Sequence, residues 1–159
     1  MNSKIGFGFD VHQLKDGLDF WLGGIMIPYS KGGLGHSDAD VLIHSICDAL
    51  LGAANLGDIG KHFPDNDPKY KGVDSKVLLK EVMMLIREKG YELGNIDSTI
   101  CLQKPKVSQF ISQMQKVLAS CMGVNTDLVS IKATTTEKLS FVGREEGISA
   151  YAIVLIQKV

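Results

Sequence analysis

Lys4-Ile5-Gly6-Phe7-Gly8-Phe9-Asp10-Val11-His12 alternates strictly, and its reading decides the architecture. Ile5, Phe7, Phe9 and Val11 share one parity; Gly6, Gly8, Asp10 and His12 share the other. Side chains of a strand alternate between its faces, so the apolar set is expected to pack on a core. The opposite face is bare at its start and ends in a carboxylate and an imidazole. Two glycines on one face weaken a strand, which predicts that something approaches the backbone there. Asp10 and His12, at i and i+2, can both reach one ion.

Working outward, Phe20-Trp21-Leu22 and Ile25-Met26-Ile27 flank Gly23-Gly24 and predict a hairpin. Ser37-x-x-Asp40 matches a capping box, so a helix is expected to begin near Ser37-Asp38. Its apolar stripe is Leu42, Ile46, Ala49, Leu50 and Ala53. Asp58 to Gly72 is rich in turn residues and reads as an exposed loop. A second helix is expected from about Ser75 to Lys89, with Leu78, Val82, Leu85 and Ile86 inward and Gly90 as its stop. Asn95 to Gln103 reads as a strand, broken by Lys104-Pro105-Lys106. A third helix carries Phe110, Met114, Val117, Leu118 and Cys121 and stops near Gly123. Val129–Ala133 and Gly147–Gln157 are strands. In the last, Ile148, Ala150, Ala152, Val154 and Ile156 alternate with Ser149, Tyr151, Ile153, Leu155 and Gln157. Both of its faces are largely apolar, which helices on one side alone do not require, and subunit association is a candidate for covering the second. The element order gives an α+β class in two layers, a mixed sheet with helices on one face.

The chain has 159 residues, of which 45% are hydrophobic, enough for one compact domain over 1–159. A net charge of −1 gives no reason to expect nucleic-acid or anionic-membrane binding. No apolar run approaches membrane-spanning length, and a strand begins almost at once, so no signal or transit peptide is expected. Cys47, Cys101 and Cys121 lie far apart without C-x-x-C spacing, as buried thiols of a reducing cytoplasm would.

A third metal ligand follows from the first helix. Asp40, His44 and Asp48 fall at i, i+4 and i+8, one polar stripe along an apolar segment. Asp10, His12 and His44 give a set of two histidines and one carboxylate with a coordination position left over, as catalytic zinc sites have. Asp40 and Asp48 are candidates to orient the second ring nitrogen of His44. The set suits non-haem iron as well, and the alternative for His44 is a solvent-facing side chain on a salt-laced helix. A zinc hydrolase, an iron oxygenase and a non-catalytic protein with a structural metal therefore stand beside other metal enzymes.

Five motifs narrow the field. G-F-D-V-H at 8–12, H-S-D-A-D at 36–40, D-I-G-K-H-F-P-D at 58–65, K-A-T-T-T-E-K-L at 132–139 and G-R-E-E-G at 143–147 occur in order along essentially the whole chain. Together they resemble the 2-C-methyl-D-erythritol 2,4-cyclodiphosphate synthase family of the non-mevalonate isoprenoid pathway. The resemblance implies a homotrimer with active sites between adjacent subunits. It also implies a reaction in which the 2-phosphate of 4-diphosphocytidyl-2-C-methyl-D-erythritol 2-phosphate attacks the β-phosphorus, closing a cyclic diphosphate and releasing CMP.

By the same resemblance Asp10, His12 and His44 match zinc ligands, of which Asp10 and His12 also meet substrate. His36 and Ser37 match contacts to the phosphate region, with His36 stabilising the transition state; as a helix start, this point would also offer free N–H groups. Asp58, Ile59 and Gly60 match the segment holding ribose and the erythritol part, and Phe63-Pro64-Asp65-Asn66-Asp67 the substrate loop that follows. Leu102-Gln103-Lys104-Pro105-Lys106-Val107 matches the loop recognising cytosine, where the family usually reads A-Q-x-P-K. Thr134-Thr135-Thr136-Glu137 matches the diphosphate-binding stretch: Thr135 stabilises the transition state, and Glu137 holds Mg²⁺ (or Mn²⁺). Read from the residues alone, Thr134-x-x-Glu137 is a capping box. Phe141 and Arg144 stand at substrate contacts, while Ser140 and Val142 replace a commoner Gly and Thr. Phe9, Arg144 and Glu146 match residues capping an axial channel, where Arg144 would receive an isoprenoid diphosphate.

Overall fold

The computed structural model describes residues 2–159. Seven strands, β1 (Ser3–Asp16), β2 (Phe20–Leu22), β3 (Ile25–Ile27), β4 (Lys31–Leu34), β5 (Tyr91–Cys101), β6 (Val129–Thr134) and β7 (Gly147–Lys158), are joined by five helices. These are α1 (Val41–Ala53), α2 (Ile59–His62), α3 (Ser75–Glu88), α4 (Ile111–Met122) and α5 (Ser140–Gly143). The main sheet has the order β4-β1-β7-β5-β6, and β2-β3 form a separate hairpin. Among the described residues only β5 and β6 run parallel, so the sheet is mixed, and α4 makes the crossover between them. The α+β two-layer reading holds.

The first strand is turned over relative to its sequence reading. Ile5 (73% exposed) and Phe7 (62%) stand clear of the helical layer, with Phe9 and Val11 beside them, and the glycine face looks inward. The approaching element is α1. A Cβ on Gly6 would lie 1.8 Å from the Ala49 carbonyl oxygen, and one on Gly8 would lie 1.9 Å from that of Ser45. Alternation fixes which residues share a face but not which face is covered, and the missing side chains let α1 lie directly on β1. Opposite residues share a face, so Gly6, Gly8, Asp10 and His12 point the same way as Val154, Ala152, Ala150 and Ile148. Those β7 side chains are fully packed, whereas Tyr151 and Ile153 stay exposed beside Phe7 and Phe9. One face of the β1–β7 pair is core; the other is a bare apolar surface.

Helix α1 is buried nearly all round, with only Asp48 and Gly52 outside the packed set, because β1 and β7 lie against it on one side and α3 on another. It begins at Val41, three to four residues later than the Ser37 capping box predicts. Asp40 is its cap, accepting from the Ile43 N–H at 3.1 Å and also from Gly23 (3.0 Å) and Gly24 (2.7 Å) at the hairpin turn. One buried carboxylate thereby ties the β2–β3 turn to the start of α1. Gly23 and Gly24 both have positive φ, as that hairpin requires.

Helices α3 and α4 keep their predicted faces. Leu78, Val82, Ile86, Met114 and Leu118 are buried, although Leu85, Val117 and Cys121 are only half-buried. Gly90 and Gly123 follow the helix ends with positive φ. Strand β5 starts at Tyr91, earlier than Asn95, with an irregularity between Leu93 and Asn95 that the pattern conceals. The 58–72 stretch is less loop-like than its composition suggests: it holds α2 and a 3₁₀ turn at Pro68–Tyr70, and Phe63 is buried. The three cysteines are unpaired; Cys47 is buried, and Cys101 and Cys121 are half-buried. Burial pushes the Cys47 thiol well up, as a packed thiol rather than a nucleophile.

Candidate active site

Register fixes the site. Asp10 and His12 lie near the end of the β1–β7 ladder, and His44 comes down from α1 one residue before Ser45, whose carbonyl covers Gly8. Asp10 Oδ2 lies 2.9 Å from His12 Nε2 and 3.0 Å from His44 Nδ1, and the two nitrogens are 3.2 Å apart. Among the described residues these three form the group able to hold a metal ion. Zinc bonds of about 2.0–2.1 Å put tetrahedral donors about 3.3 Å apart, so the triangle is slightly tighter than a loaded site and of the right shape. His12 Nδ1 lies 3.1 Å from the Leu34 carbonyl, which can only accept, so in the neutral ring Nε2 offers its lone pair inward. The donor set fits a divalent cation.

Electrostatics agree. Burial raises the Asp10 carboxyl, but hydrogen bonds and positive charge from His12 and His44 outweigh it and hold the group down at about 2. Burial lowers His12, and Asp10 with the Leu34 carbonyl more than reverses that, leaving it raised. His44 is only 9% exposed, which excludes the solvent-facing alternative. Its expected partners are corrected too. Asp40 is spent on α1 and the hairpin, while Asp48 accepts the Ile59 N–H at 2.7 Å and so fastens α2 to α1. His44 Nε2 meets Ser75 at 2.8 Å and Ser37 at 3.2 Å instead.

The triad lines a cavity of about 500 Å³ with His36, Ser37, Ile59, Gly60, Phe63, Pro64 and Asp65. His36 does not start a helix. It donates from Nε2 to the Asp67 carbonyl at 3.1 Å, and its own carbonyl accepts from Gly72 at 2.7 Å, binding the 36–38 segment to the 67–72 stretch. Asp58 caps α2 through the Lys61 N–H, and Asp67 caps the 3₁₀ turn through the Lys69 N–H. Asp58, Asn66 and Asp67 are absent from the cavity wall, which adds Gly35, Tyr70, Val73 and Leu78 that the sequence reading missed.

A second cavity, of about 210 Å³, gathers Leu102, Gln103, Pro105, Lys106 and Val107 with Thr134 and Thr135. Lys104 is not part of its wall. Leu102 and Val107 are buried and anchor the loop, and the Lys138 N–H reaches Gln103 Oε1 at 3.2 Å. The capping box at Thr134 is not formed. The Glu137 N–H donates to the Thr135 hydroxyl and Thr136 to the Leu139 carbonyl, while α5 starts only at Ser140. Glu137, Lys138 and Ser140 hold positive φ, so the segment is a tight exposed turn. The register rows Asp10–Ala150, Ala150–Ile100 and Ile100–Ala133 place the two cavities at the same end of the sheet. Three strand spacings separate those residues by about 14 Å. Phe141 lies apart from both, in a groove with Val11, His12 and Glu146, and Arg144 is paired with Glu146 at 2.8 Å.

A mixed sheet with one helical layer, ending in a two-histidine, one-carboxylate group at the mouth of a cavity, defines an α+β protein with a candidate metal site. Comparison with known proteins narrows this. The YgbB family matches residues 3–157. A 2-C-methyl-D-erythritol 2,4-cyclodiphosphate synthase of Bacteroides fragilis is 65% identical over the whole of both chains. The bifunctional IspDF of Campylobacter jejuni aligns with TM-score 0.95 and 43% identity, over 99% of this chain and 42% of that one. A CDP complex of Plasmodium falciparum IspF aligns with TM-score 0.87 and 32% identity, over 99% and 97%. The chain belongs to the YgbB family, that of the 2-C-methyl-D-erythritol 2,4-cyclodiphosphate synthases. No helix among the described residues is long and apolar enough to cross a membrane.

Proposed function

We propose that this chain, as one domain over 1–159, cyclises 4-diphosphocytidyl-2-C-methyl-D-erythritol 2-phosphate to 2-C-methyl-D-erythritol 2,4-cyclodiphosphate and releases CMP, as a cytoplasmic phosphorus–oxygen lyase. The observation that carries the reading is the convergence of Asp10, His12 and His44 at the wall of a cavity that also holds His36. The attacking phosphate is already an anion, so no general base is required. The barrier is the approach of two anions, which fixed donors and cations lower. Holding the flexible substrate in a ring-forming geometry contributes the rest.

Each group then has a task. Asp10, His12 and His44 would hold Zn²⁺, which would supply Lewis-acid charge to the phosphate chemistry. His36, fixed through Nε2 by the Asp67 carbonyl, keeps Nδ1 for the phosphate region, and Ser37 adds a hydroxyl. Ile59 and Gly60 line the erythritol end next to Phe63, Pro64 and Asp65, with Asp58, Asn66 and Asp67 setting the loop's course. The cytosine is assigned to the 102–107 loop, including Lys104; the CDP bound by the Plasmodium falciparum relative supports a nucleotide ligand. Thr134, Thr135 and Thr136 offer hydroxyls to the diphosphate, Thr135 at the transition state, and exposed Glu137 would carry Mg²⁺ or Mn²⁺.

The bare β1–β7 face, with Ile5, Phe7, Phe9 and Ile153 exposed, supports a homotrimer in which one chain's metal cavity meets a neighbour's loops. Phe141 and Arg144 then reach substrate or axis from that junction. Phe9, Arg144 and Glu146 would cap an axial channel, where an isoprenoid diphosphate has to displace Glu146 from the guanidinium. Phosphorus NMR of the authentic substrate with the protein tests the reading. Equal amounts of CMP and a cyclic diphosphate support it; a linear product or none contradicts it.

A further inference from the structure

The tautomer of His12 is set by a carbonyl, but His44 faces a hydroxyl, and a hydroxyl can donate or accept. Its Nε2 lies 2.8 Å from Ser75 Oγ, and Ser75 is fully buried at the first residue of α3. Ser75 has one hydroxyl proton, and Asp38 decides where it goes. One Asp38 oxygen takes the Ser75 backbone N–H at 2.8 Å, and the other lies 2.5 Å from Ser75 Oγ. A carboxylate only accepts, so Ser75 donates to Asp38 and keeps only lone pairs for His44. Ser37 Oγ lies farther from the same nitrogen, at 3.2 Å, and accepts the Ala39 N–H at 3.3 Å, which leaves it a second lone pair for a His44 N–H. Facing the nearer, lone-pair-only oxygen of Ser75, His44 carries its proton on Nε2, leaving the Nδ1 lone pair 3.0 Å from Asp10 and 3.2 Å from His12 Nε2.

We propose that Asp38 and Ser75 are a proton-fixing pair that locks His44 in its metal-binding tautomer. They act through His44, as positioning residues rather than catalytic ones, and the proposal rests on reading Asp10, His12 and His44 as a metal site. It also gives α3 a functional tie. The Asp38 N–H donates to the Val73 carbonyl at 3.2 Å, so the start of α3 and the 36–38 segment move as one body behind the ligand.

Zinc titration of the metal-stripped protein against a competing chelator tests it. Ser75→Ala should bind zinc about 10–100-fold more weakly than the unaltered chain, the usual consequence of losing a partner behind a ligand. Asp38→Asn should weaken binding in the same direction, because one acceptor becomes a donor and frees the Ser75 proton to point at His44. It preserves the shape of the segment should Ser75→Ala fail to fold. In the zinc-loaded protein labelled with ¹⁵N-histidine, the His44 Nε2–H signal should be protected from exchange, and should exchange rapidly in both variants. Unchanged zinc affinity and protection in the variants would overturn the pair while leaving the metal site standing. An unaltered protein that binds no zinc would overturn the metal site and the pair with it.

Discussion

The two cavities at the end of the sheet are built on opposite plans. Around the triad, every outward ring nitrogen has a partner and the backbone is regular strand and helix, with α1 pressed onto Gly6 and Gly8. Around Thr134–Glu137 the side chains are mostly exposed, the hydroxyls bond to their own turn, and positive φ replaces secondary structure. The first region is finished within one chain. The second presents groups outward, as the proposed contact with substrate and a neighbouring subunit requires. Rigid, buried neighbours suit ligands that must converge on an ion; a mobile diphosphate is better met by exposed hydroxyls and backbone N–H groups.

His44→Ala should break the first region outright. Its loss removes one of three donors, leaving only Asp10 and His12 for the ion, so bound zinc should vanish and CMP release should fall by about three orders of magnitude or more. Far-ultraviolet circular dichroism should stay near that of the unaltered chain, because the apolar residues of α1 are untouched. Glu137→Gln attacks the second region and should separate the two. Zinc content should be unchanged, turnover should drop about two to three orders of magnitude, and more magnesium should be needed, as a CMP-release assay over a magnesium titration would record. Normal turnover with unaltered magnesium dependence would remove Glu137 from the site.

Ile153→Asp asks whether the halves come from different chains. A carboxylate on the bare sheet face costs several kcal/mol if that face is buried between subunits. Sedimentation should show monomers at micromolar concentration, with turnover down about tenfold or more and zinc retained in each chain. Asp97→Ala is the smallest change. Asp97 and Lys132 form an exposed pair on β5 and β6, remote from the triad along the sheet, so stability should fall by less than about 1 kcal/mol with zinc and turnover unchanged. A thermal melt and the same assay check it.

What was legible in the sequence follows the same division. Asp10, His12 and His44 could be read because strand and helix periodicities are local rules, and the helices of α3 and α4 were read for that reason. The orientation of β1 was not, since a glycine face and an apolar face are equally regular and only the arrival of α1 distinguishes them. Local rules also misassigned Ser37 and Thr134, because a capping-box spacing does not say whether a helix follows; at Thr134 the positive φ of Glu137 and Lys138 intervenes before α5. Ser75 and Asp38 went unnoticed as partners of His44 because they are 37 residues apart and each looks like an ordinary residue at a helix start.

The most direct test of the central claim is a zinc titration of the stripped protein with authentic substrate and magnesium present. CMP release should be negligible without zinc and rise to a plateau at one zinc per chain, with cyclic diphosphate formed in equal amount. Full turnover by the stripped protein, or none after reloading, would contradict the account.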